Sequence, residues 1–575
     1  MLYQSRLLAA FVCCLLVFSS VPIRALGQEY TSAPPEADHD QPSNVRVIDE
    51  GTHLIDAASL QAVEHLTVRR GATALIDVGN LANLVLPGDF TNKGTVYFGS
   101  SVAGVDTASL TAANIFNKGG AVLSSVLPAG GLAGFNSVVS NLNLDLTAVH
   151  DIINAGTIAS AGNLTMTAGG AIVNQATISA AQNVNLSSAI GNIVNSGTIS
   201  ALAGNININS QLTQLVASQV AANLTVTNTG GIMQALNGAI DLSPVSAGAS
   251  ADLNLTGGDW LSRELNLNAG AGKVSLNANN VSGVVNIDAG CANLLVSAPN
   301  LNLGSLNITG DPTFYNTGGS VILTNTNSFQ VNANLAVVAS QDVVIGSPSQ
   351  RIQTAPGSGQ PGDVLLIAGA NFTPPPAIQN QQSGSDTTTT ITIQGGSSTG
   401  GSVQVPGGIM TDGGLVTIVA YPGSGAGSLL PPGTIRVGDI STNRGRVAIV
   451  AGATSGIGIV TGNITTSGTS GDKNGGNVAI FAAPIISPQF SITNGVPDPN
   501  PAPFIVSGTD NNSALIFTGN ILTAGAGGNG GTNGSLNGQA GGAGGDVAIG
   551  SNAAISTGFI RAFGGGGGGG THSGS

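Results

Sequence analysis

IINAGTIAS at Ile152–Ser160 recurs as IVNQATISA at Ile172–Ala180 and as IVNSGTISA at Ile193–Ala201. The asparagines fall at Asn154, Asn174 and Asn195, a period of 20 and then 21 residues. Self-similarity at such a period is the mark of stacked units sharing one continuous core. A second phrase follows each copy: NLTMT from Asn163, NVNLS from Asn183 and NININ from Asn205. Both phrases alternate apolar and polar residues, the pattern of strands with one buried face. With no helical stretch between them, they predict an all-β chain: a single right-handed parallel β-helix, a solenoid with an N-terminal cap and Gly-rich loop insertions.

In such a coil, equivalent residues stack about 4.8 Å apart. Ile152, Ile172 and Ile193 should then share one interior ladder. Asn154, Asn174 and Asn195 should form an amide ladder at a turn where polar backbone would otherwise be buried. Gly156 and Gly197, with Ala176 in the middle copy, mark the bend. Some 500 residues at about 20–25 per coil make a rod roughly 100 Å long.

Composition agrees with a solenoid. The 575 residues include 86 Gly, and only 7% are charged and 4% aromatic, against about 25% charged and about 7% Gly in ordinary domains. Residues 152–240 contain no charged and no aromatic side chain. After the N-terminus no stretch is continuously apolar for the ~20 residues a membrane span needs. The hydrophobic content of 41% in alternating order suffices for a core, which argues against disorder.

Residues 1–27 read as a secretory signal peptide: Arg6, an apolar run Leu7–Phe18, and small residues Ala25 and Gly27 at −3 and −1. Cleavage after Gly27 would remove Cys13 and Cys14, leaving Cys291 alone and no internal disulfide. It would also remove Arg6 and Arg24, taking the formal charge from −13 to −15. That balance argues against nucleic acid and against a polybasic membrane contact. Cys291 reads as a small buried turn or strand residue.

Along the chain, residues 28–44 read as a flexible leader and 45–89 as an N-terminal cap passing into the first coils, with Ala57–His65 the one helical candidate. Residues 90–349 read as Asn-rich coils, opening with FTNKGTV from Phe90 and IFNKGGAV from Ile115. From Asn223 the second phrase continues almost alone: NLTVT, DLNLT from Asp252, ELNLN from Glu264, KVSLN from Lys273, VVNID from Val284, NLLVS from Asn293. Residues 350–563 read as Gly-rich coils. Their strands are announced by Gly (PGDVLLIAG, GGSVQV, GGLVTIVA, GRVAIVAG, GGNVAIFA, GGDVAIG), and Ile-x-Thr strands precede several of these, at Ile352, Ile409, Ile440, Ile464 and Ile521. Thr373–Ser398 and Ser487–Pro503 are the largest loop insertions. Residues 564–575 read as a flexible Gly-rich tail, and the chain as a piece of a longer one.

The Ile-x-Asn-x-Gly-Thr-Ile and Ile-x-Thr…Gly-Gly-x-Val-x-Ile coils resemble those of filamentous-haemagglutinin-like secreted bacterial proteins over most of Phe90–Gly550. The resemblance implies a right-handed parallel β-helix, exported and displayed as an adhesin or large exoprotein, with an outer-membrane export partner. The Asn-Pro-Asn-Gly and Asn-Pro-x-Leu motifs of that family's secretion domain do not occur here.

Several groups merit weighing as sites. GGAGGD at Gly541–Asp546 matches the start of a calcium-binding nonapeptide, but as a single copy it reads as a Gly-rich loop feeding a strand. His39, His53 and His65 with Asp40, Asp56 and Glu64 match no metal-ligand spacing and read as solvated surface. Trp260, beside Asp259, Arg263 and Glu264, could stack on a sugar ring, and otherwise reads as a loop aromatic lying over the coil surface. The sequons at Asn163, Asn223 and Asn254 arise from the strand phrase itself. The pairs Thr165/Thr167 and Thr225/Thr227 suggest a Thr array but recur too seldom.

No catalytic, cofactor-binding or metal residue is assigned, and no cofactor is expected. The leading expectation is a non-enzymatic exported protein, secreted or on the outer cell surface, acting as surface filament, adhesin or matrix scaffold. Its partners would be host or matrix glycans or surface proteins. Low charge density predicts adhesion little affected by salt. The alternative is a pectate-lyase-like polysaccharide-active enzyme, which needs clustered carboxylates and Lys or Arg. An ice- or surface-binding Thr/Asn face is a third reading.

Overall fold

The computed structural model describes residues 44–569 apart from 82, 129–141, 211–222, 245–250, 325–328, 332–333, 355–361, 374–389, 426–429, 471–472, 483–484, 487–489, 494–495, 499–504, 507–512 and 531–537. Residues 1–27, read above as a signal peptide, nearly all of residues 28–44, and residues 570–575 therefore lie outside the described residues.

Branched apolar residues at alternate positions favour extended backbone and fill a half-buried sheet, and here they do so coil after coil. An 18-stranded parallel sheet carries one interior ladder. It runs from Leu66 through Phe90, Ile115, Ile152, Ile172 and Ile193 to Val226, and it ends with Ile480 beside Ile549. Ile152, Ile172 and Ile193 are each fully buried, and each contributes roughly 1.5–3 kcal/mol of apolar burial. With two further parallel sheets of 24 and seven strands, this is a parallel β-helix.

The second sheet takes two strands from each regular coil. Thr157–Ser160 stacks on Thr177–Ala180, and Leu164–Ala168 on Val184–Ser188. From Ile232 these two fuse into long bent strands, Ile232–Pro244, Asp259–Asn268, Asn280–Ala289 and Asn300–Ile308. Ile232 pairs with Thr198 while Ile240 pairs with Ile206, and irregular register between the two halves absorbs the corner.

This changes the reading of the repeated phrase. Val226 of NLTVT pairs with Ile193, so the segment continues the Ile-x-Asn strands of the first sheet. DLNLT, KVSLN and NLLVS follow it there, whereas ELNLN and VVNID stack in the second sheet. One phrase serves two sheets because alternation encodes a buried face and not which side of the coil it lines. GGSVQV is a similar case: Val403–Val405 lies in the second sheet, whereas the other Gly-announced strands lie in the first.

Two corner devices hold the coils. Among the Asn-rich coils, the buried amides of Asn92, Asn117, Asn154, Asn174, Asn195 and Asn228 are joined Nδ2 to Oδ1 at 2.6–2.9 Å. Each donor also reaches a strand carbonyl of the next coil, Thr177 O from Asn154 and Thr198 O from Asn174. Each Oδ1 at Asn92, Asn154, Asn174 and Asn195 accepts the N–H two residues on. In the Gly-rich coils the third sheet stacks Ile352, Ile409, Ile440, Ile464, Ile521 and Ile560. There a buried Thr replaces the Asn. The hydroxyls of Thr354, Thr411, Thr442, Thr466 and Thr523 donate to the carbonyls of Gly362, Gly414, Gly445, Gly476 and Gly545 at 2.6–2.8 Å.

The two largest insertions are not merely loops. Ala370–Thr373, Thr390–Gly396, Phe490–Thr493 and Val496–Asp498 form a four-stranded antiparallel sheet. Phe372 and Ile393 cover outward residues of the first sheet, among them Tyr315, Val338, Ile367 and Val419, and with Tyr421 just past it they form a second apolar core. The runs LAVVA and VLLIA are accordingly buried on both faces.

At the N-terminus, Val45–Ile48 and Gly51–Asp56 already pair in parallel with His65–Val68 and Ala72–Asp77. Between them Ala57–Leu60 makes one 3-10 turn capped by Asp56. At the other end, Gly565, Gly566 and Gly568 are hydrogen-bonded to earlier glycine-rich segments. Gly565 and Gly568 donate to Gly542 O and Gln539 O at 2.8 Å, and Gly528 donates to Gly566 O at 2.7 Å. A Cβ on Gly528, Gly541, Gly565 or Gly568 would overlap a neighbouring carbonyl, whereas Gly566 and Gly569 face open space. Inward glycines recur every third residue (525 and 528, 538 and 541, 565 and 568), which is the period of a polyproline II helix.

Candidate functional site

Side chains that point away from the core stack in register as strictly as those inside. On the second sheet the outward row runs Ser109, Asp145, Thr165, Asn185, Asn207, Asp241, Asn266, Asn286. Asn207 Nδ2 donates to Asn185 Oδ1 at 2.7 Å, Asn266 Nδ2 to Asp241 Oδ1 at 2.6 Å, and Asn286 Nδ2 to Asn266 Oδ1 at 2.8 Å. A parallel row carries Thr147, Thr167, Ser187, Asn209 and Ser243. These bonds fix the orientation of the Asn185, Asn207, Asn266 and Asn286 amides, so the face offers donors and acceptors at the coil repeat of about 4.8 Å. Burial holds the Asp145 carboxyl above its ordinary range, opposed by a hydrogen bond from Thr165 and reinforced by the charge of Asp106. Amides and hydroxyls of this kind bind by hydrogen bonding and transfer no proton near neutral pH.

The residues weighed from the sequence do not converge. Trp260 is not a surface aromatic: it is fully buried in the main core, with Nε1 donating to Gly257 O at 2.9 Å. It sits at an inward position of Asp259–Asn268. His53 Nε2 contacts Asp49 O at 3.0 Å. His65 Nδ1 accepts the Asp89 N–H, and its Nε2 lies 3.8 Å from Glu64. His39 and Asp40 lie outside the described residues, and among the described ones no three His, Cys, Asp or Glu side chains gather as a metal set.

Within GGAGGD, Gly541 and Gly542 belong to the glycine assembly, and Asp546 leads into a strand by donating its N–H to Asn477. Thr165/Thr167 and Thr225/Thr227 lie on different sheets, the second and the first, so they form no common array. Asn163 and Asn223 use Oδ1 to hold Asn183 N and Asp252 N of the next coil. Cys291 is half-buried and donates to Asp311 O. Burial first, then the Asp311 charge, push its thiol up to about 11, so it is not a thiolate near neutrality.

One charged feature escaped sequence reading. Lys93 and Lys118 each follow a ladder asparagine in the phrase Asn-Lys-Gly, and Arg69 takes the same place one coil earlier. Stacking brings Arg69, Arg70, Lys93 and Lys118 to one corner. The repeated Asn-Lys-Gly, read with the coil register, was the available signal. No family model matches this chain, and no curated protein or solved structure is significantly similar to it.

Proposed function

We propose that this chain is a non-enzymatic, exported β-helix scaffold that presents its outer face to glycans or surface proteins, as a cell-surface filament, adhesin or matrix component. The observation that carries the reading is the register-locked outward row from Asp145 to Asn286. Its amides are already oriented by their neighbours, so a hydroxyl-rich ligand meets a surface with little side-chain entropy left to lose. Export through a cleaved signal peptide, and kinship with filamentous-haemagglutinin-like proteins, belong to the same reading and rest on the N-terminal sequence and the repeat phrases. The test is to screen purified protein against neutral and acidic polysaccharides while following new reducing ends and unsaturated uronates. Binding without turnover is expected. Reproducible turnover that disappears on replacing one Asp or Glu would overturn the scaffold in favour of an enzyme.

A further inference from the structure

Arg69, Arg70, Lys93 and Lys118 come from residues 69–118 of a chain with only 15 Lys and Arg and a net charge of −13. The solenoid stacks them: Lys93 N–H donates to Val68 O and Lys118 N–H to Asn92 O, so each occupies the corner just past the ladder position of its coil. Asp49 pairs with Arg69 at 2.7 Å. Among the described residues no ion pair reaches Arg70, Lys93 or Lys118. Lys118 Nζ rests 4.6 Å from the centre of the Phe116 ring, and Glu50 lies at one rim, beside Gly71. Two of these cations, Arg70 and Lys93, line an open groove of about 450 Å³ together with Thr73, Thr95, Gly119 and Gly120. Thr73 and Thr95 are register neighbours with outward side chains. Gly119 and Gly120 have no atom within 4 Å of where a Cβ would stand, so they leave the floor bare.

We propose that this corner binds one strand of a carboxylated polysaccharide. The inference rests on the glycan-binding scaffold reading and adds the class of glycan and its place. Arg70 and Lys93 come from successive coils, whose backbones lie about 4.8 Å apart, close to the length of one sugar unit in an extended chain. The Arg70 guanidinium takes a carboxylate by two parallel bonds and Lys93 takes one as a point charge. The paired Thr hydroxyls exchange hydrogen bonds with ring hydroxyls. A duplex nucleic acid is repelled by the acidic remainder of the protein.

The test measures binding of polygalacturonate, its fully methyl-esterified form, neutral dextran and a DNA duplex to the whole protein and its variants. Arg70→Gln with Lys93→Gln should weaken polygalacturonate binding at least tenfold with unchanged melting. Gly119→Glu, which fills and recharges the floor at a position with open space, should do the same. Arg436→Gln, an exposed cation elsewhere, should change nothing. Unlike adhesion through the low-charge faces, polygalacturonate binding at this cationic corner should fall as salt rises, and the ester should not bind. The inference is overturned if both groove variants bind like the wild type, if the ester binds equally, or if DNA competes as well as polygalacturonate does. Dextran binding without polygalacturonate binding would sink this inference and leave the scaffold standing. Cleavage of polygalacturonate would sink the scaffold reading, while the groove variants would still decide whether the polymer sits at this corner.

Discussion

Asn154 Nδ2 donates to Asn174 Oδ1 across 2.7 Å, and both side chains are fully buried. The same Asn154 amide reaches Thr177 O at 2.9 Å, and Asn174 Oδ1 also accepts the N–H of Ala176 at 3.3 Å. One side chain thus satisfies two coils and its own turn.

Asn174→Leu should therefore cost about 1–3 kcal/mol locally, because it strands a donor on Asn154 and the turn N–H of Ala176 in a buried corner. Native-state hydrogen exchange is the measurement, since local opening in a solenoid need not move a global melt. Faster exchange at Ala176 and Thr198 is expected. Unchanged exchange there would mean that the ladder contributes nothing.

Trp260, the sole Trp, should emit as a buried indole: blue-shifted, poorly quenched by iodide, and unmoved by any saccharide that binds the protein. Trp260→Ala should destabilise by about 3–5 kcal/mol through the cavity it leaves. A saccharide-induced shift in emission would place the ring on the surface instead.

Asp363 sits where the preceding coil carries Asn334. Asn334 Oδ1 accepts Asp363 N–H at 2.9 Å, and Asp363 Oδ1 accepts Leu415 N–H at 2.8 Å. Burial raises the Asp363 carboxyl above its ordinary value, against the Leu415 bond and the Arg446 charge and with the Asp311 charge. A raised carboxyl contributes its stability below the unfolded-state value, and that contribution is lost as pH rises through the folded-state value. Asp363→Asn keeps the acceptor and removes the ionisation. It should raise the melting temperature at neutral pH, with the gain shrinking as pH falls through the raised folded-state value and absent below the unfolded value of about 4. A gain that grows with acidity would contradict the burial argument.

Gly541→Ala should disrupt the glycine assembly, because the added methyl overlaps Gly565 O, whereas Gly566→Ala points into open space. Hydrogen exchange at Gly565 and Gly568 separates them: faster in the first variant and unchanged in the second. Equal behaviour would show that residues 564–569 do not pack as described.

Alternation along Ile152–Ala201 by itself determined the stacked coil, the interior Ile ladder and the Asn corner, because a period-2 strand and a fixed repeat leave few other ways to bury the apolar face. The Ile-x-Thr strands were equally plain, though the Thr-to-Gly carbonyl bond they make was not, since it joins a hydroxyl to the start of the next strand. Only the tertiary structure decided which sheet each phrase joins. NLTVT and ELNLN carry the same pattern, and the choice depends on how many residues the preceding corner consumes. It likewise put Trp260 inside, since hydrophobic order near a corner does not say which way the chain turns. It joined insertions about a hundred residues apart into one antiparallel sheet, and it gathered Arg70 and Lys93 into one groove. Those contacts arise between coils, at separations set by loop lengths and register, and no local pattern of residues encodes them.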